Sequence, residues 1–213
     1  FYYSKILGIR EPDIEQEGAL DNRTYGNVYH RSAELIYQKI MDKNNVVSKE
    51  SIEKIRKSRA TIELCVDEAF SELVFKTTSS KYRPKYNGLQ LVNRESIINY
   101  LIKMLQQDEK SAPITIKGLE LRINSEISFI SNNEKRSITI KGFIDRLDEV
   151  RHESEGRMIR VIDYKTGRPS SKQPKDIEDV FNRTKIHETK ADYYLQTMLY
   201  SNVVRDNIEL NKE

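Results

Sequence analysis

The chain has 213 residues, of which 37 % are apolar and 32 % charged, and its 36 basic and 33 acidic groups leave a net charge of +3. So even a balance excludes an argument for nucleic-acid binding from bulk charge, and any such function has to rest on local sites. No apolar run approaches the ~20 residues of a membrane-spanning helix, and the single cysteine, Cys65, rules out a disulfide framework or a multi-cysteine metal or iron–sulfur site within the chain and favours a reducing, cytoplasmic compartment.

The chain begins at Phe1 without a leader pattern, which reads as a piece of a longer protein. Residues 1–22 mix aromatic side chains with the acidic stretch Glu11 to Glu17, an opening segment and a loop. From Thr24 to about Met41, Tyr29, Ala33, Ile36 and Ile40 recur on one helical stripe. Ser48 suits an N-cap, with Val47 and Ile52 as a hydrophobic staple, and the apolar stripe behind it predicts one helix or a broken pair as far as Phe75. Residues 77–90, with Pro84 and Gly88, read as a loop. A second staple, Val92 with Ile97 around Asn93, predicts a third helix that ends before Asp108.

The apolar period then changes from 3.6 to 2. Leu119, Leu121, Ile123, Ile127 and Phe129 alternate with polar residues, 131–135 reads as a turn, and Ile138, Ile140, Gly142 and Ile144 resume the alternation. A turn near His152–Gly156 leads into Met158 to Tyr164, completing a three-strand antiparallel meander. Residues 168–190 are polar and carry two prolines, as a mobile loop does, and Asp192 to about Asn207 is helical, with Tyr194, Met198 and Ser201 along one face. There is no internal repeat and no second domain boundary. The order predicts an α+β or α/β fold, with helices packed on one central mixed sheet.

The chemistry concentrates on the last two strands. One ends Lys141-Gly142-Phe143-Ile144-Asp145-Arg146-Leu147-Asp148, and the next reads Val161-Ile162-Asp163-Tyr164-Lys165-Thr166-Gly167. Asp163 and Lys165 are two apart and share a face of a strand. If Asp145 lies beside Asp163, two carboxylates and one ammonium meet at one sheet end, and a hard divalent cation relieves the repulsion. Each half alone has a plainer reading, a cross-strand ion pair for Asp-x-Lys and a turn for Gly-x-x-Asp. Together on successive strands, and followed by Thr-Gly, they are far more specific. Arg146 and Asp148 read as a structural ion pair near the site, and Cys65 as a packing residue.

These residues resemble the RecB-type branch of the PD-(D/E)XK nuclease superfamily. Gly26-Asn27-Val28-Tyr29-His30 is similar to that branch's helical Gly-x-x-x-His motif, Gln196-Thr197-Met198-Leu199-Tyr200 to its Gln-x-x-x-Tyr motif, and the opening FYYSKILGIREP to the start of AddB-like C-terminal nuclease domains. The resemblance implies a restriction-endonuclease-like core, a single nuclease domain over 1–213 of a larger protein, and hydrolysis of DNA phosphodiester bonds. It further implies exonuclease-like action on single strands or duplex ends in break repair and recombination, fed by a helicase partner. Asp145 and Asp163 would ligate Mg²⁺ or Mn²⁺ together with the Tyr164 carbonyl and His30, the nitrogen ligand suiting Mn²⁺ at least as well. Lys165 would orient or help deprotonate the attacking water and offset transition-state charge. Glu120 would support the metal site, or else stand as an edge-strand carboxylate in solvent. Gln196 would bond the active-site elements or a phosphate and Tyr200 would contact the DNA backbone, unless the two simply pack their helix.

The loop residues Arg168, Lys172 and Lys175, with Arg183, Lys185 and Lys190 beyond, suit sequence-independent contact with phosphates, or a solvated loop. Many members of the branch staple this domain with four cysteines around an iron–sulfur cluster, positions that fall outside this chain. Two competing readings remain. One is a catalytically inactive DNA-binding or scaffold module of nuclease ancestry. The other is a stand-alone sequence-specific endonuclease, against which the lack of an evident recognition insert counts.

Overall fold

Asp21 opens the first helix by accepting the Thr24 backbone N–H at 2.7 Å, and α1 runs from Asn22–Ile40. The computed structural model describes residues 20–77, 84–152, 154, 156–167, 172–182, 184 and 189–207. Of the opening segment expected at 1–22, residues 1–19 lie outside these, as do the basic residues Arg168, Arg183 and Lys185, and α1 already begins at Asn22. After α1 come a two-residue strand β1 (Val46–Val47) and α2 (Lys49–Lys57), which is capped by the Ser48 hydroxyl as its sequence suggests. Ser58 then ends α2 and starts α3 (Arg59–Leu73), so the long stripe is a broken pair of helices.

The next helix, α4, spans Gly88–Glu109 and starts five residues before the staple at Asn93. Asn87 and Gln90 bond reciprocally to each other's backbone N–H, at 2.9 and 3.1 Å. This capping box satisfies two orphan donors and outweighs the loop tendency of Gly88. Helices α1 to α4 pack on one another around Val28, Ile36, Ile62, Val66, Phe70, Ile97 and Leu101, all fully buried.

The sheet follows as β2 (Ile114–Ser131), β3 (Glu134–His152) and β4 (Gly156–Ile162). The order is β1-β2-β3-β4 among the described residues, and every described pairing is antiparallel where a mixed sheet was expected. Asn132 and Asn133 turn β2 into β3 with φ of 52° and 61°, a two-residue connection whose twist matches that of the strands. The sheet-proximal half of β3 is buried at every residue from Ile144 to Asp148, so it is covered on both sides, whereas its distal half from Ser137 to Thr139 is exposed. The polar segment after β4 contains a short helix, α5 (Ile177–Phe181), begun by the Asp176 carboxylate. The last helix, α6 (Ala191–Asp206), lays Tyr200, Val203 and Val204 against Ile123, Ile144 and Leu147, forming a second apolar cluster. Among the described residues no helix is long and apolar enough to cross a membrane.

Candidate active site

Three elements deliver the site: α1, the inner end of the β2–β3 pair, and the chain leaving β4. The antiparallel ladder ends at Arg146↔Ile162. One step further brings Asp163 opposite Asp145, as the sequence suggested, although Asp163 and Lys165 stand just past the strand rather than within it. Asp145 is 7 % exposed and accepts the Tyr164 backbone N–H on its Oδ2. That bond ties the end of β4 to β3.

His30 reaches this junction from α1. Its Nε2 lies 3.0 Å from the Tyr164 carbonyl oxygen, and its Nδ1 lies 3.4 Å from Asp145 Oδ1 and 3.8 Å from Glu120 Oε1. Edge-on contacts with Tyr164, at 5.7 Å between centroids, and Tyr29, at 6.3 Å, hold the ring. Gly26, one turn earlier, faces the loop after β4, where a Cβ would make an ordinary 3.5 Å contact with Thr166 Oγ1.

Glu120 enters by a distortion of β2. The strand carries a register shift between Ile116 and Gly118, and Glu120 itself has φ of +47°, the left-handed region that side-chain-bearing residues avoid. The carboxylate thus joins His30 and Asp145 in a cluster whose ligand atoms all lie within 4.8 Å of one another. Glu120 lies on an edge of the sheet with its side chain about a third exposed, and faces His30 and Asp145 rather than open solvent alone.

Burial opposes charge on His30, but the hydrogen bond and charge of Asp145, the Tyr164 carbonyl and Glu120 outweigh it and raise its pKa above the ordinary value. Burial, and then the charge of Asp145, raise the Glu120 pKa. Burial also raises that of Asp163, against the opposing pull of Lys165. His30, Glu120 and Asp163 therefore hold protons more tightly than free side chains do. One imidazole nitrogen and two carboxylates beside a backbone carbonyl form a donor set that fits a hard or borderline divalent ion. Asp163 stands outside the three-residue group, because its Oδ2 is held 2.6 Å from Lys165 Nζ. Of the expected ligand set, His30, Asp145 and the Tyr164 carbonyl meet at this point, Glu120 stands beside them, and Asp163 is paired with Lys165 next to them.

Lys165 is held from the other side by Gln196 Oε1 at 3.1 Å, and Gln196 Nε2 donates to the Tyr200 hydroxyl at 3.2 Å. Gln196 therefore positions Lys165. Tyr200, expected to touch the DNA backbone, is 8 % exposed and packed in the second apolar cluster, with its hydroxyl against Gly142. It docks α6 on the sheet, and its burial removes it from any open surface. Lys172 is exposed and lines a cavity of about 920 Å³ beside Asp163 and Lys165, while Lys175 sits just ahead of α5, away from that cavity.

Below the site lies a buried ionic network. Arg146 is 1 % exposed, pairs bidentately with Asp108 at 2.7 and 2.9 Å, lies 2.9 Å from Asp148, and stacks over Tyr37 at 4.6 Å. Arg160 closes it with two bonds to Asp148, at 2.7 and 2.9 Å, and the Tyr37 hydroxyl donates to Asp108. The Arg146–Asp148 pair agrees with the sequence reading. Asp108 was missed because it looks like a helix end, and Arg160 because its cross-strand partner, Asp148, appears only once the register is known.

The family model of the PD-(D/E)XK nuclease superfamily matches residues 1–213. The chain is also similar to one component of an ATP-dependent helicase/deoxyribonuclease of Alkaliphilus metalliredigens (strain QYMF), at 25 % identity over 214 residues, covering 99 % of this chain and 18 % of that protein's length. This chain therefore belongs to the PD-(D/E)XK nuclease superfamily.

Proposed function

We propose that this chain is a Mg²⁺- or Mn²⁺-dependent deoxyribonuclease domain that hydrolyses phosphodiester bonds, exonuclease-like, within a larger cytoplasmic repair protein that works with a helicase. The observation that carries the reading is the convergence of His30, Glu120 and Asp145 on one point, with the Asp163–Lys165 pair directly beside it. The name of the helicase/deoxyribonuclease relative supports the DNA substrate and the helicase partner.

His30, Glu120, Asp145 and the Tyr164 carbonyl would hold the ion, with Asp163 at its edge. When bound, such an ion lowers the pKa of a water and neutralises phosphate charge. The reaction is an in-line displacement: water oxygen bonds to phosphorus as the bond to the leaving oxygen breaks, with no covalent enzyme intermediate. Lys165 is the fixed cation. Asp163 and Gln196 hold its ammonium in place, so no reorganisation is needed when negative charge grows on the phosphoryl oxygens. Burial of Asp145 and Asp163 strengthens these interactions.

The test is single-turnover cleavage of a labelled single strand with Mn²⁺, run beside a binding assay. Lys165→Ala should lower cleavage on the order of 10²-fold while DNA affinity falls only modestly, since a preorganised charge counts more in the transition state than in the ground state. Asp145→Ala should abolish both metal binding and cleavage. Absence of any cleavage by the intact wild-type protein with either metal would favour the scaffold reading instead.

A further inference from the structure

The cavity beside Lys165 extends away from the metal cluster into the cleft between α4 and α6. Its α4 wall carries Tyr100, Lys103 and Met104, which share one helix face at i, i+3 and i+4. Its α6 wall carries Tyr193, Tyr194 and Met198. Three of these apolar side chains are open to solvent: Tyr100 is 46 % exposed, Tyr194 41 % and Met198 39 %. They are not core residues, although the same helices bury Ile97, Ile98, Leu101 and Leu105 on α4 and Val203 and Val204 on α6. Tyr193 differs from them. Its ring lies under two ammonium groups, Lys165 Nζ at 5.0 Å and Lys190 Nζ at 5.3 Å, and so fixes where these cations stand. Lys103 Nζ lies 5.9 Å from the Tyr100 ring. The cavity wall thus contains four lysines, Lys103, Lys165, Lys172 and Lys190, against one carboxylate, Asp163, in a chain that is nearly neutral as a whole.

Accessible rings alternating with ammonium groups are complementary to an anionic chain that carries flat, unpaired bases. A duplex presents its phosphates but hides its base faces in the stack, so it would satisfy the lysines and leave the rings in water. A single strand satisfies both. We propose that the α4–α6 cleft is a base-stacking channel for single-stranded DNA, in which Tyr100 and Tyr194 take nucleobases and Lys103 and Lys190 take the phosphates between them. It leads the strand to Lys165, and its direction rests on the reading of the metal cluster as the cleavage site. None of Tyr100, Lys103, Tyr194 and Met198 touches that cluster.

The experiment measures equilibrium binding of the intact protein in a chelator, where no cleavage occurs, to a short oligodeoxythymidine, to an abasic strand of equal length and charge, and to a blunt duplex. Wild type should bind the thymidine strand at least ten-fold more tightly than the abasic one. Tyr100→Ala and Tyr194→Ala should each remove roughly ten-fold from the thymidine affinity, leave the abasic affinity and the salt slope unchanged, and be rescued by Phe at the same position. Lys103→Ala should weaken both strands equally and lower the salt slope by about 0.7. Equal affinity for thymidine and abasic strands, ring variants without effect, or a preference for the duplex would each overturn the channel. A protein that cleaves yet shows no base dependence overturns this inference alone. Ring-dependent binding without cleavage under any metal overturns the nuclease reading alone.

Discussion

Glu120 holds a backbone conformation that costs a residue with a side chain about 1–3 kcal/mol, and it does so where β2 passes His30 and Asp145. The strain and the repulsion from Asp145 both vanish in Glu120→Gly. That variant should melt higher than wild type in the absence of metal, while its Mn²⁺ affinity falls ten-fold or more, as calorimetry would read. A lower melting temperature would show that the left-handed turn carries no strain.

The raised pKa values of His30, Glu120 and Asp163 share a sign. Each group binds its proton more tightly folded than unfolded, so each contributes stability below its unfolded pKa that is lost as pH rises through its folded value. A metal bound there would compete with those protons, so the rise in melting temperature on adding Mn²⁺ should widen between about pH 5 and pH 8. An increment that shrinks with pH would contradict the cluster's protonation. Cys65 carries no such chemistry: burial pushes its thiol up to about 11, and alkylation should require unfolding.

At the scale of elements, the link between α6 and the sheet depends on one missing side chain. A Cβ on Gly142 would collide with the Tyr200 hydroxyl, so Gly142→Ala has to push the ring, and α6 with it, off β3. Gln196 is on the same helix and holds Lys165. The variant should accordingly lose cleavage through displacement of Lys165 while keeping its Mn²⁺ affinity, whereas a loss of both in parallel would mean that the sheet itself had failed. The distal hairpin behaves differently. From Glu126 to Thr139 its described side chains are exposed or nearly so, with Ile130 78 % accessible. Shortening it to a two-residue turn nearer the sheet should move the melting temperature by only a few degrees.

The start of α2 was readable because a cap is a local device. Ser48 and its staple act within five residues. The Asn87–Gln90 box was equally local, but it was obscured by the apolar pair at Val92 and Ile97, which satisfies the same pattern inside the helix.

Across the whole molecule, the Asp108–Arg146–Asp148–Arg160 network joins α4, β3 and β4, and Tyr37 brings in α1. It pins the β3 residues on either side of Leu147, next to Asp145, against the helical layer. Paired burial of this kind adds little net stability over apolar packing, but removing one partner strands the others. Arg146→Ala leaves Asp108 without its bidentate partner and Asp148 with Arg160 alone, and should cost about 3–5 kcal/mol in urea unfolding. A loss below about 1 kcal/mol, the size of an exposed pair, would mean that water reaches the network.

The amino-acid sequence by itself determined the kind of chemistry and the elements that carry it. The helix with His30, the meander, the shared face of Asp163 and Lys165 and the closing helix follow from periodicities and spacings that act within a few residues, while the chemistry was readable from motifs that resemble a known family. Tertiary structure decided which side chains meet. Glu120, on an edge of the sheet, comes within 3.8 Å of His30, the Lys165 ammonium pairs with Asp163, and the absence of a side chain at Gly142 leaves room for the buried Tyr200 hydroxyl. The cleft between α4 and α6 belongs to the same class, since its two walls come from helices far apart in the chain. Periodicity states which face of an element avoids water, but not which other element will cover it. That is settled only when the layers pack and each buried polar group finds its partner.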